Sequence, residues 1–380
     1  MRQVFVSCGV GIEAVLEREL QGLGYTFGYT ATKAVHGGVL LEVHDFSDIY
    51  RLNLLCRCAS RVFVPLVTAP CRDKKDLYDA ALQIDWLPFF KKMPTFTIDV
   101  NGKHPAFVNS LYAAQVMKDA ICDQLRQKTG ERPSVDTHAP KIRLSLFLQP
   151  SRITISFDTT AKPLHERGYR QEGGVAPLRE NLAAALLLMA SYTGSEIACD
   201  PCAGTGTLLI EAALIATKTP PSYMRNFFGF QHHPEYSPST WQAIRQEEMD
   251  KRIPLEPGHL IAIERTPTIF ADLERAVKVA GFYGKITLIK GDFRTAQLPV
   301  LPNFVITNPP YGKRLSDIKT LGALYESLGV FLKQHTQKPA RSFILSGSAE
   351  LSKQIPLRVA RRHIVNNGGI DCRLLEYVVS

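Results

Sequence analysis

The sequence predicts an α/β fold: an open, mostly parallel sheet with flanking helices in the C-terminal half, preceded by two smaller α+β units. Three observations predict it. From residue 196 onward, short apolar runs alternate with helix-length segments, the pattern of a sheet covered by crossover helices. Each of four runs ends at a polar residue: Asp200, Glu264, Asp292 and Asn308. The first run is followed at once by a glycine loop holding Gly204 and Gly206, then by a helix.

A chain of 380 residues is too long for one ordinary core. The boundaries read as 1–66, 67–160 and 161–380. An apolar content of 45% fits a folded globular protein rather than a disordered one. Residues 1–4 lack a secretion signal's apolar stretch, and the longest apolar run, 182–190, is too short to span a bilayer. A cytoplasmic protein with no membrane partner is therefore expected, its eight scattered cysteines reduced. The net charge of +9 suits a polyanionic partner, and equally suits simple solubility.

In the first unit, 4–7 reads as a strand and 11–20 as a helix stopped by Gly22 and Gly24. Residues 26–30 and 38–43 read as strands, a helix capped by Asp48 runs through 50–55, and 62–66 closes the unit as a strand. The second unit reads as helix 76–81, strand 96–100, helix 111–127, and strands 143–148 and 152–158. Arg57, Arg61, Arg72, Lys74, Lys75, Lys91, Lys92, Lys103, Arg143 and Arg152 are compatible with phosphate contacts, though each alone reads equally as a solvated surface residue. Cys56 with Cys58, Cys199 with Cys202, and His232-His233 lack the companion ligands of a metal site, so no metal is expected. The two histidines read as a loop.

The third unit opens with a basic approach segment, 162–170, and a helix over 182–192. Then come strand 196–200, the loop, helix 208–216, strand 260–263, helix 268–280, strand 287–290 and strand 304–306. The aromatic-rich stretch 220–257, with its helix 240–251, interrupts the alternation and reads as a cover over the site or as added packing.

The strand ends suggest the chemistry. Asn308-Pro309-Pro310-Tyr311-Gly312 follows the fourth strand. Its prolines end the strand and push Asn308 out of the α region, holding an amide, the Pro309 carbonyl and an aromatic ring where open α/β sheets bind ligands. The amide and carbonyl are two acceptors for an NH₂ group, and Tyr311 offers a face to a planar base. Gly204 and Gly206 permit a tight turn and close ligand approach. The loop lacks the Gly-Lys-Ser/Thr ending of a phosphate loop, and Asp200 would repel a pyrophosphate, favouring a cofactor without phosphate. Glu264 is placed to take both hydroxyls of a ribose, and Asp292 to accept from an adenine amino group with Phe293 beside the ring.

Residues 200–207, Asp-Pro-Cys-Ala-Gly-Thr-Gly-Thr, resemble the cofactor loop of S-adenosylmethionine-dependent methyltransferases. Asn308 to Tyr311 resembles the signature of their amino-methylating branch. With 165–170, 176–181, 308–315 and 367–374, the chain is similar along nearly its whole length to the bacterial 23S rRNA guanine-N2 methyltransferase family. The resemblance implies a Rossmann-like class I methyltransferase domain after a ferredoxin-like unit and a THUMP RNA-binding domain. It implies S-adenosyl-L-methionine as cofactor, held by Asp200, Cys202, Gly204, Gly206, Glu264, Asp292 and Phe293. It implies catalysis by Asn308, Pro309 and Tyr311, and 23S rRNA or a ribosomal assembly intermediate as partner. His165, Arg167 and Arg170, and Lys313 with Arg314, become candidates for RNA phosphates; a structural linker and an exposed helix start are their other readings. Departures are Glu264 and Thr266 where the family carries Asp-x-Asp, Ala276 where it carries asparagine, and Cys202-Ala203 in the loop. Other readings of the chain are a tRNA guanine-N2 methyltransferase, a DNA adenine-N6 methyltransferase, a non-catalytic RNA-binding assembly protein and, from the glycine loop alone, a dehydrogenase.

Overall fold

The computed structural model describes residues 1–27, 30–170, 178–311 and 315–380. They form two compact units: one of 1–8, 17–164 and 225–246, the other of 9–16, 165–224 and 247–380.

The first unit is built on β1 (Arg2–Ser7), α1 (Glu13–Phe27, shared with the second unit), β2 (Thr30–Val35), β3 (Gly38–Val43), α2 (Ser47–Leu55) and β4 (Arg61–Pro70). It continues with α3 (Lys74–Leu82), β5 (Phe96–Gly102), α4 (Ser110–Thr129), β6 (Ile142–Gln149) and β7 (Arg152–Asp158). Its strands make one sheet in the order β2-β3-β1-β4-β7-β6-β5. The expected boundary at residue 66 falls inside β4, which pairs antiparallel with β1 on one edge and β7 on the other. Gly22 and Gly24 do not stop α1, which runs on to Phe27, so residues 26–27 are helical rather than the start of a strand. A glycine within a helix costs only about 1 kcal/mol, which the buried side chains of Val15, Leu16 and Leu20 outweigh.

Beneath this sheet, Trp86 is fully buried and donates from Nε1 to the Ala81 carbonyl at 2.9 Å. Gln124 of α4 clamps the chain beside it. It accepts from the Trp86 amide at 2.9 Å and donates to Leu82 and Ile84 carbonyls at 3.1 and 2.9 Å. Several of the basic residues considered for phosphate pair within the unit: Arg61 with buried Asp158, Arg143 with Asp99 at 2.6 Å, Arg72 with Asp76 at 3.0 Å, and Lys75 with Asp79.

The aromatic-rich stretch resolves as packing. Its residues 225–246 belong to the first unit, where the rings of Phe230, Tyr236 and Trp241 lie 4.8–6.0 Å from that of Tyr50, whose hydroxyl accepts from the Ser237 amide at 2.8 Å. His233 lies in a bend, as expected, but its ring is in the core, stacked on Phe46 at 4.3 Å and edge-on to Phe89 and Phe157.

In the second unit α5 (Glu180–Met189), β8 (Ala198–Asp200), α6 (Thr207–Ala216), α7 (Pro238–Asp250, shared with the first unit), β9 (Leu260–Glu264), α8 (Pro267–Val279), β10 (Thr287–Lys290) and β11 (Phe304–Thr307) follow in order. The unit ends with α9 (Leu315–Gln334), β12 (Ala340–Ser346), α10 (Ala349–Ser352), β13 (Arg361–Asn367) and β14 (Ile370–Val379). The sheet order is β10-β9-β8-β11-β12-β14-β13. The first five strands are parallel, and β14 runs antiparallel to both neighbours. β8, β9 and β11 are buried at every residue, as parallel strands covered on both faces are. The strand order turns back between β8 and β11, so a crevice opens at their C-terminal ends.

Among the described residues no helix is long and apolar enough to cross a membrane. The cysteines are free, and no His/Cys/Asp/Glu group among the described residues has the make-up of a metal site.

Burial, followed by the nearby Arg2 charge, pushes the His233 imidazole down to about 3, against an ordinary value of 6.5. As pH falls the unfolded chain therefore takes up this proton first, so the stabilisation is whole above about pH 6.5 and is lost toward about pH 3. His233→Phe keeps a ring in the stack and removes the titration. The difference between its urea midpoints at about pH 7 and about pH 4.5 should be smaller than the parent's; an equal difference would assign the acid sensitivity elsewhere.

Candidate active site

The ends of β8, β9, β10 and β11 bring Asp200, Glu264, Asp292 and Asn308 to one edge of the second unit's sheet. Asp200 is almost fully buried, and its Oδ1 accepts from the Cys202 amide at 3.0 Å and from Thr307 Oγ1 at 2.6 Å. Its carboxylate thus holds the turn of the loop and the end of β11 together. This corrects the expectation of an outward-facing group: the charge that seemed set to repel a pyrophosphate is turned inward. Burial pushes its carboxyl up to about 7, while the Thr307 hydroxyl pulls the other way. Thr307, a threonine at the end of an apolar strand, carries no signal of this role in the sequence.

The loop is tied to β9 twice. The Ala203 amide donates to the Ile263 carbonyl at 3.0 Å, and the Gly204 amide donates to Glu264 Oε2 at 3.1 Å. Glu264 Oε1 accepts from the Thr266 amide at 2.7 Å. The carboxylate is therefore fixed in direction by two backbone donors, with lone pairs left over on both oxygens. Thr266, the departure from Asp-x-Asp, takes part through its backbone.

The two loop glycines differ. A Cβ at Gly204 would meet no atom within 4 Å, leaving that side of the loop open. At Gly206, φ is +82° and a Cβ would lie 2.4 Å from Leu273 Cδ1. Gly206 thus supplies the tight turn expected of it and lets α8 pack closely on the start of α6.

Asp292 is bound by Arg294, whose Nε donates to Oδ1 at 2.8 Å and whose amide donates to the same oxygen at 3.0 Å. The Arg294 hydrogen bond brings its carboxyl down to about 2. Phe293 is 4% exposed and packs edge-on against Phe331 at 5.6 Å. Its ring is a core residue, which corrects its expected place beside an adenine.

At the end of β11, Pro309 is buried and Asn308 half-buried. Asn308 Oδ1 is sheltered from solvent and has no hydrogen-bond partner among the described residues. Tyr311 is half-buried, and its hydroxyl accepts from Asn367 Nδ2 at 2.7 Å. Gly312, Lys313 and Arg314 lie outside the described residues.

The approach segment is largely internal. Arg167 is fully buried, its Nε 3.4 Å from Glu211 Oε1, which also accepts from the Tyr169 hydroxyl at 3.0 Å. Arg170 donates to the Leu178 carbonyl and to Thr207 Oγ1 and lies 3.4 Å from Glu180. Arg167, paired with buried Glu211, is hidden from a phosphate, and Arg170 is partly buried and paired with Glu180, so neither is the solvent-facing cation that the sequence suggested. His165 is half-buried.

A glycine loop after the first parallel strand, an acidic residue ending the second and an Asn-Pro-Pro-Tyr stretch ending the fourth define a Rossmann-like nucleoside-cofactor site of the S-adenosylmethionine-dependent methyltransferase class. Family models match in register with that architecture. The RMKL-like methyltransferase domain matches 167–376, the THUMP domain 71–158, and the RlmL ferredoxin-like domain 3–63. The chain belongs to the family of RMKL-like methyltransferases with an N-terminal THUMP domain, a family that uses S-adenosyl-L-methionine.

Among its relatives, the ribosomal RNA large subunit methyltransferase K/L of Marinomonas sp. (strain MWYL1) is 34% identical over 98% of this chain and 52% of that protein. The protein slr0064 of Synechocystis sp. (strain ATCC 27184 / PCC 6803 / Kazusa), classed by name with RNA methyltransferases, is 34% identical over 99% of this chain and 96% of that protein. The chain thus spans about half the length of the K/L relative. The crystal structure of SMU.472 complexed with SAH shares the fold, with TM-score 0.87 and 23% identity over 100% of this chain and 98% of that one.

Two measurements test these arrangements. The Asp200 carboxyl titrates near 7 in the fold and at 3.8 ordinarily, so the folded chain holds this proton more firmly. Its contribution is whole below about pH 3.8 and falls as pH rises through about 7. Asp200→Asn keeps the Oδ1 acceptor, so its melting temperature should gain on the parent's from about pH 5 to about pH 8; a constant difference would exclude this titration. Glu211→Ala leaves buried Arg167 without its carboxylate and should cost about 3–5 kcal/mol in denaturant unfolding. A loss below about 1 kcal/mol would show that other groups compensate the charge.

Proposed function

We propose that this chain transfers a methyl group from S-adenosyl-L-methionine to the exocyclic N2 amine of a guanosine in 23S rRNA. The observation that carries the reading is the sheltered Asn308 Oδ1 at the end of β11, which has no hydrogen-bond partner among the described residues. A buried acceptor left without a donor costs about 1–3 kcal/mol, and a substrate amino group supplies the missing donor. The names of the K/L relatives and the THUMP match support ribosomal RNA as the partner. The net charge of +9 agrees with a polyanion.

The residues present fit the cofactor: an open flank at Gly204 and a carboxylate at Glu264 held in place by backbone donors. In this reading Glu264 binds the ribose hydroxyls, and the loop from Asp200 through Cys202 to Gly206 shapes the pocket. Asp292 serves the adenine side while paired with Arg294. When bound, the cofactor supplies a methyl carbon made electrophilic by its sulfonium.

Guanine N2 is a weak nucleophile because its lone pair is delocalised into the ring. Asn308 Oδ1 and the Pro309 carbonyl accept from its two N–H groups. That aims the nitrogen lone pair and stabilises the positive charge that develops on it as the methyl carbon leaves sulfur; one N2 proton then passes to water, leaving the neutral methylated amine and a neutral thioether. Tyr311 holds the ring by stacking, and the target base must leave its helix or already lie in a loop. Lys313 and Arg314 are proposed to meet phosphates beside the base.

Asn308→Ala should lower labelled-methyl transfer to unmodified 23S rRNA by about a hundredfold or more, with cofactor affinity by calorimetry unchanged. Turnover retained by the variant would remove the amide from the mechanism. Nucleoside analysis of parallel 16S rRNA, tRNA and DNA pools decides the substrate. N2-methylguanosine in tRNA alone would keep the chemistry and replace the substrate, whereas N6-methyladenine in DNA would overturn the guanine reading.

A further inference from the structure

The Tyr311 ring is met from three elements at once. Behind it, a Cβ placed on Gly347, just past β12, would lie 2.9 Å from Cδ2 and 3.1 Å from Cε2. The ring therefore lies directly on a backbone that carries no side chain. The same imagined Cβ would be 3.2 Å from Ile370 Cγ2, at the start of β14. At the hydroxyl end, Asn367, the last residue of β13, donates from Nδ2 at 2.7 Å. Buried Cys372 of β14 lies beside the same hydroxyl.

The hairpin register brings these groups together. Asn367 pairs with Ile370 across the two-residue turn Gly368-Gly369, Val365 pairs with Cys372, and Ser346 of β12 pairs with Arg373. With its oxygen accepting from Asn367, the hydroxyl is engaged by the protein. The half-exposed ring face is what remains for a ligand.

We propose that the β13–β14 hairpin forms the back of the base pocket and that Asn367 is a positioning residue, its amide holding the Tyr311 ring on Gly347 so that the outer face meets the flipped base. This rests on the methyl-transfer reading above. Asn367 acts through the ring rather than on the base, so its loss should appear where alignment matters and not where the cofactor binds. The hydroxyl should matter only as the handle for that tether.

The test is steady-state methylation of 23S rRNA by the intact chain, its Asn367→Ala and Tyr311→Phe variants and the double variant. Melting temperature and KM for S-adenosylmethionine are measured alongside. A misplacement of about 1 Å can cost about a hundredfold, so a loosened ring should lower kcat by roughly tenfold in Asn367→Ala. KM for the cofactor and the melting temperature should stay at the parent's values. Tyr311→Phe should lose as much, and the double variant no more, because both changes cut the same hydrogen bond.

Gly347→Ala displaces the ring from behind with Asn367 intact and should reproduce the kcat loss. It keeps the idea testable if Asn367→Ala is unstable. Parent-like kcat in Asn367→Ala, or losses that add in the double variant, would overturn the tether and leave the methyl-transfer reading standing. A parent chain that methylates no RNA overturns both.

Discussion

The Thr307 hydroxyl donates to Asp200 Oδ1 at 2.6 Å, inside the protein and between the ends of two neighbouring parallel strands. β8 and β11 flank the point where the strand order turns back, so their ends would otherwise diverge into two unrelated loops. The hydrogen bond makes them one object. From Asp200 the same oxygen reaches the Cys202 amide and sets the turn of the glycine loop. From Thr307 the chain passes directly into Asn308. The methyl-donor side and the acceptor side of the proposed reaction are thus referred to a single buried carboxylate. Its raised pKa follows from the same burial: a group that shapes the site need not be charged to do so.

The sheet edge was legible in the sequence because parallel strands covered on both faces read as unbroken apolar runs. Polar residues are costly inside such a sheet, so Asp200, Glu264, Asp292 and Asn308 stand out where the runs stop. What was not legible was the direction each side chain takes. Arg167 and Arg170 looked like phosphate ligands because sequence shows a positive charge and hides its partner; Glu211 lies 44 positions from Arg167. Phe293 looked available because it follows Asp292 at the strand's end, yet its ring packs edge-on against Phe331 in the core. At Gly206 the tight turn was legible, and the room it leaves for Leu273 was not.

Other misreadings have the same origin in tertiary packing. Gly22 and Gly24 have weak helix propensity, but the apolar face of α1 carries the helix past them. The aromatic stretch around Phe230 and Trp241 gave no hint of its partner, because Tyr50 is nearly two hundred residues away. The C-terminal hairpin entered the sequence reading only through family resemblance at 367–374. Its physical content, an amide donating to the Tyr311 hydroxyl, needed the antiparallel register of β12, β14 and β13.

The two polar groups of the Asn-Pro-Pro-Tyr stretch are treated in opposite ways. The Tyr311 hydroxyl is bonded to the protein, while Asn308 Oδ1, sheltered from water, has no partner among the described residues. A fold selected only for stability would satisfy both, since a buried unmet acceptor is destabilising. The difference follows if one group must be still and the other vacant. A ring used for stacking gains from a fixed orientation, because every base presents a π face. An amide used to aim an amino group must keep its lone pairs for that group, and rigid proline neighbours hold it ready without a hydrogen bond. The unmet acceptor is then stability given up locally for preorganisation, which the buried strands beneath Asn308 can sustain.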